Sequence, residues 1–236
     1  MKSNARRFIS IIGIIGLGLI LPRNGALADA QSFQQFSAEW QQWALSIPTS
    51  INPQLDPTGD NCMVGQRGAV WFLAGTFGGG SATRTCAVPE GKGLFFPAIN
   101  MVNIDAPSVC GQGPDSVPVE DLRAANAAFI DGATTVSVEV DGEPIGTLQR
   151  VQSNVFEVAL PEENIFDAPC ISFGGVPAGI YSPAVDDGFY VQLEPLDVGN
   201  HTLHIHAENP SAGFTLDVTY NLTVGAVVGP NPTREP

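Results

Sequence analysis

Residues 214–224 read FTLDVTYNLTV. Phe214, Leu216, Val218, Tyr220, Leu222 and Val224 alternate with Thr215, Asp217, Thr219, Asn221 and Thr223. A strict period of two with one apolar and one polar set is the pattern of a half-buried β-strand. The same alternation recurs upstream. Val136, Val138 and Val140 oppose Thr135, Ser137 and Glu139, and Asp141-Gly142 follows as a two-residue hairpin turn. Phe156, Val158 and Leu160 form another apolar face, and Phe189, Val191 and Leu193 a further one opposed by Tyr190, Gln192 and Glu194. Ala69–Ala74 and Leu94-Phe95-Phe96 are apolar throughout and read as buried strands, the second stopped by Pro97. Short strands separated by turns predict a mostly β protein, an antiparallel β-sandwich or jelly roll.

Two helices accompany the strands. Phe33, Phe36, Trp40, Trp43, Ala44 and Ile47 recur at spacings of three and four and predict an N-terminal amphipathic helix over 31–47, ended by Pro48. Its two tryptophans offer a carbohydrate platform, but such a stripe is expected to pack on its own core. Val119–Ile130 predicts a short internal helix, with Pro118 before it and Gly132 after it.

Residues 1–30 read as a signal peptide. Lys2, Arg6 and Arg7 precede a run of uncharged, mostly apolar residues from Phe8 to Leu21, and Ala28-Asp29-Ala30 is a small-x-small cleavage pattern. The run is shorter than the roughly 20 residues that span a bilayer. Removing it takes four of the ten Lys/Arg and one of the 24 Asp/Glu, leaving six against 23, a net charge of −17. Such a surface repels phosphate backbones and anionic lipids, so nucleic-acid and membrane partners are excluded. The expected organisation is one disulfide-stapled domain over 31–224 and a disordered Pro/Gly tail over 225–236, in a secreted or periplasmic protein.

Cys62, Cys86, Cys110 and Cys170 are an even set in an exported chain and read as two disulfides. Three pairings are open, with Cys62–Cys86 and Cys110–Cys170 preferred. No C-x-x-C spacing suggests zinc instead. Asp56 and Asp60 lie in a turn-rich stretch without EF-hand spacing and are expected to bond their own backbone. Asp186-Asp187 and Glu162-Glu163 flank turn residues, and neighbours along a strand point opposite ways, so neither pair forms an acid/base dyad.

The one constellation suited to chemistry is His201-Thr-Leu-His204-Ile-His206-Ala-Glu208. On a strand, His204, His206 and Glu208 share the face opposite Leu203 and Ile205, with the two histidines about 7 Å apart. A hairpin with 214–224, closed around a Glu208–Gly213 loop, sets His204 opposite Asp217 and His206 opposite Thr215. His204, His206, Asp217 and Glu208 are thus a candidate ligand set for a divalent metal, zinc, copper or iron. The competing expectation is a solvated outer face. His201 has the parity of Leu203 and is expected to bond a turn. No Gly-x-Ser-x-Gly or His-Glu-x-x-His motif is present.

Several segments together resemble a family of uncharacterised secreted bacterial proteins. They are Trp40-Gln-Gln-Trp43, Gly65-Gln66 with Val70-Trp71-Phe72-Leu73-Ala74-Gly75, Cys86-Ala-Val-Pro89 with Phe95-Phe96-Pro97, Val140-Asp141-Gly142, Ser182-Pro183-Ala184 and Gly199-Asn-His201-Thr202. The resemblance covers most of residues 31–236 and implies export and a single domain, with no activity or site residue. The function expected first is a non-enzymatic extracellular binding or surface-associated β-sandwich, its ligand a glycan or cell-surface component. The alternatives are an extracellular metal-dependent enzyme using the histidine face and a structural coat or matrix component.

Overall fold

The computed structural model describes residues 25–225 except Thr147, with side chains from Phe33 onward. The expected signal peptide therefore lies largely outside the described residues, and the tail from 226 wholly so. The elements are α1 (Gly25–Leu45), β1 (Val70–Phe72), β2 (Gly80–Pro89), β3 (Gly93–Ile104), α2 (Val119–Asp131), β4 (Thr135–Val140), β5 (Glu143–Pro144), β6 (Gln149–Gln152), β7 (Phe156–Leu160), β8 (Gly179–Leu193), β9 (Gly199–Asn209) and β10 (Phe214–Gly225). One sheet runs β1-β3-β8-β6, with β7 also on β8. The other runs β2-β10-β9-β4-β5. The protein is mostly β, and the two sheets form a sandwich.

The core between the sheets is built from the alternations read in the sequence. Leu216, Val218, Tyr220 and Leu222 of β10, Leu203, Ile205 and Ala207 of β9 and Val138 of β4 meet Leu94, Phe96 and Val191 of the other sheet. The outer face of the first sheet is covered by α1. Trp40, Trp43, Ala44 and Ile47 close over Phe95, Val151 and Tyr190, and the rings of Phe95 and Tyr190 stack at 5.2 Å. Trp40 is 1 % exposed and donates its indole N–H to Leu73 O at 2.9 Å. The tryptophan stripe is therefore core, as expected, and offers no carbohydrate platform. Tyr190, expected on a polar face, is buried because α1 covers both Phe95 and its neighbour.

Four features depart from the sequence reading. Each sheet contains one parallel pair, β1 with β3 and β2 with β10, so neither is purely antiparallel. Pro97 does not end its strand. β3 passes through it with a register shift between Pro97 and Ile99, the irregularity at which a strand tolerates a residue without an N–H. β2 was hidden because Arg84 stands at an inward position. Asp186-Asp187 lies inside β8 rather than at a turn.

Cys62–Cys86 and Cys110–Cys170 are both formed, the preferred pairing. Loops of these lengths stabilise by roughly 3–4 kcal/mol each in the chain-entropy account, and two such bridges fit an oxidising compartment. Asp141 and Gly142 both take positive φ, at 53° and 80°, in the two-residue β4–β5 turn. His201 bonds that turn, as expected, through Asp141 Oδ2 at 2.8 Å and the carbonyl of Asp197 at 2.9 Å. The hydrogen bond to Asp141 raises the His201 pKa. Asp56 accepts from the amides of Thr58 and Asn61 at 2.8 Å each, closing its own turn. Among the described residues, no helix is long and apolar enough to cross a membrane.

Candidate functional site

The histidine face forms, in a different register. β9 continues to Asn209, whose side chain accepts from Ala212 N in the connection, so the loop is tighter than Glu208–Gly213. Asp217 pairs with His206, Thr219 with His204 and Thr215 with Glu208. A shift of two residues changes partners and keeps faces. His204 Nε2 lies 3.2 Å from Asp217 Oδ1, His206 Nδ1 3.3 Å from Asp217 Oδ2, and His206 Nε2 3.3 Å from Glu208 Oε1. Only the first is a directed hydrogen bond, and His206 Nδ1 has no hydrogen-bond partner among the described residues.

The expected ligand set is thus met as a shared face and not as a coordination cage. Both histidines aim at the same carboxylate. Among the described residues no group of three or more His, Cys, Asp or Glu is disposed to hold a metal ion. The contacts are half exposed, and exposed ion pairs contribute about 0–1 kcal/mol. The double variant His204→Ala/His206→Ala is expected to move the melting temperature by no more than about 2–4 °C, measured by circular dichroism. A larger loss would show that the face holds the sheet together.

A second site was not anticipated. β1 pairs only with Gly93–Phe95, so β3 from Pro97 to Val102 has no strand on that side. A cavity of about 330 Å³ opens there. Trp40, Gln41 and Leu45 of α1 form one wall, and Phe214 and Leu216 of β10 another. Phe129 and Phe166 also line it, and the Gly75–Gly78 loop forms the rim. The volume is at the lower end of small-molecule pockets, and the composition, mostly apolar with a few polar groups, is typical of them. Among the described residues, no charged or titratable side chain lines it.

Two of its polar lining groups are set by a buried acid. Asp186 is fully buried. Gln41 Nε2 donates to its Oδ1 at 2.6 Å, Asn100 Nδ2 to the same oxygen at 3.4 Å and Tyr190 Oη to its Oδ2 at 2.7 Å. Asn100 Nδ2 also reaches Tyr190 Oη at 3.2 Å. Gly188 is paired opposite Asn100, and a Cβ there would meet Asn100 Cβ and Ile99 O at 2.6 Å. Burial pushes the Asp186 carboxyl up to about 7, against the opposing hydrogen bonds of Tyr190 and Gln41. The two amides turn their N–H groups toward Asp186. Neither amide carbonyl oxygen has a partner among the described residues, and both residues line the cavity. The cavity wall therefore offers hydrogen-bond acceptors.

Asp187 points to the other face, as expected of a strand neighbour. It accepts two hydrogen bonds from Arg150 at 3.1 and 3.0 Å and one from Gln152 at 3.2 Å.

The chain matches no protein-family model, no curated protein and no solved structure.

Proposed function

We propose that this is an exported protein, secreted or periplasmic like the family its motifs resemble, and that it binds a small, neutral, largely apolar molecule in the cavity beside β3. The observation that carries this is an apolar cavity without a charged lining group, in which Gln41 and Asn100 are held by Asp186 with their carbonyl oxygens free. Apolar walls supply affinity, and a few oriented polar groups supply orientation. Two amides cannot move a proton at neutral pH, so the cavity suits retention rather than reaction. With 24 acidic against 10 basic residues in the chain, an anionic ligand is disfavoured at long range. The preferred ligand is uncharged and carries a donor, such as a hydroxyl, at one end.

The test is a fluorescence titration with Nile red, a neutral apolar dye. Wild type is expected to bind it with a dissociation constant in the micromolar range. Thr76→Trp, which places a large ring on the half-buried rim loop, is expected to weaken binding at least tenfold. No binding by wild type overturns the proposal. Equal binding by the variant would show that the dye binds elsewhere.

A further inference from the structure

A second cavity, of about 260 Å³, lies beneath the Cys110–Cys170 disulfide. Val109, Leu160, Val176 and Tyr181 are among its walls, and it too has no charged lining residue. Val102 and Phe166 line both cavities. Phe166 is half-buried, and its ring meets Phe77 of the first cavity's rim edge-on at 5.8 Å. A single aromatic side chain thus stands where the two spaces adjoin.

Exposed apolar side chains adjoin residues that line the second cavity: Ile171 follows Cys170, and Ile180 precedes Tyr181. Phe173 is 62 %, Ile171 78 % and Ile180 70 % exposed. The Phe173 ring packs on Gly111, where a Cβ would come within 2.8 Å of it, and Gly111 lies between the lining residues Cys110 and Gln112. Exposed aromatic and branched side chains beside a cavity mark a place where apolar matter arrives or docks.

We infer that the two cavities are one binding path, and that the ligand is an elongated, uncharged chain of alkyl or prenyl type bearing a hydroxyl. The hydroxyl end donates to the Gln41 or the Asn100 carbonyl, and the chain runs past Phe166 into the space under the disulfide. Ile171, Phe173 and Ile180 form the collar at its far end. This rests on the cavity beside β3 being the binding site, and it adds the shape and class of the ligand. Uncharged walls along the whole path argue against a charged group at either end, because a buried unpaired charge is strongly disfavoured.

The experiment measures displacement of Nile red by hexanol, decanol, tetradecanol and octadecanol, on wild type and on Val109→Trp, which fills the second cavity from its half-buried loop. Val109→Phe serves if the larger ring lowers the melting temperature. Wild type is expected to gain affinity about threefold to fourfold per methylene, continuing through tetradecanol. Val109→Trp is expected to bind hexanol as wild type does and to gain nothing beyond decanol. If affinity in wild type stops rising at the length where Val109→Trp stops, the joined path is overturned while binding beside β3 stands. If no alcohol displaces the dye, and the dye itself does not bind, both fail.

Discussion

Asp186→Asn is expected to remove most of the pH dependence of stability between about pH 4 and pH 7. In the folded protein burial pushes this carboxyl up to about 7 from an ordinary value of 3.8. Between those values the folded state holds a proton that the unfolded chain has released. Stability therefore falls as pH rises through this window and is flat above it. A shift of that size corresponds to about 4 kcal/mol. Asparagine keeps the shape and carries no charge to desolvate, and its amide can donate to Tyr190 Oη, which then accepts. Melting curves of wild type should move down by roughly 8–16 °C from pH 4 to pH 7, whereas those of the variant should move far less. At pH 8 the variant should be the more stable of the two. Parallel slopes in the two proteins would show that Asp186 is not the titrating group. Histidine titration is separable, since the raised pKa of His201 places its own loss of stability above 6.5. Because the variant keeps Oδ1 as the acceptor of Gln41 and Asn100, alcohol affinity should stay close to that of wild type while stability above pH 7 rises.

Arg84→Met is expected to destabilise the protein by about 3–5 kcal/mol, from a few buried acceptors left without a donor at about 1–3 kcal/mol each. Arg84 is 1 % exposed. Its Nε donates to Asp56 O at 2.7 Å, and Nη1 to Gly75 O at 3.2 Å and to Tyr220 Oη at 2.8 Å. The guanidinium also lies over the Tyr220 ring, 5.4 Å from its centroid. One side chain thus ties the Asp56 turn and the segment after β1 to the second sheet. Methionine preserves the stem and leaves buried carbonyls without a donor. Lysine keeps the charge but lacks the fork needed to reach several acceptors at once, so Arg84→Lys should recover only part of the loss. The urea midpoint should drop with an unchanged slope. A loss below about 1 kcal/mol would show that water replaces the guanidinium.

How much of this was legible follows from where the physics is local. β9, β10 and the β4–β5 hairpin were readable because alternation and Asp141-Gly142 are properties of adjacent residues. Both helices were readable from spacing and flanking prolines. β2 was not, since Gly78-Gly79-Gly80 reads as flexible and Arg84 occupies an inward position that alternation assigns to an apolar residue. The first half of β8 was missed for the same reason, since Asp186-Asp187 reads as flanking a turn. The histidine face was found, but its register depended on Asn209 staying in the strand, which no local pattern announces. The cavity had no signature at all. It arises because β1 pairs with three residues of β3 and then leaves, so that Gln41, the Gly75–Gly78 loop, Asn100 and Leu216 converge from distant parts of the chain.

The position of β10 has a consequence for the order in which the second sheet can form. The last strand among the described residues is paired on both sides, parallel to β2 and antiparallel to β9. The second sheet therefore cannot close until residues 214–225 are available, and a contact that distant is slow to form. A chain that emerges from its N-terminus therefore keeps this sheet open until β10 has followed. Cys86 pairs opposite Leu222 of β10, so the Cys62–Cys86 bridge reaches its native setting only once that strand is in place.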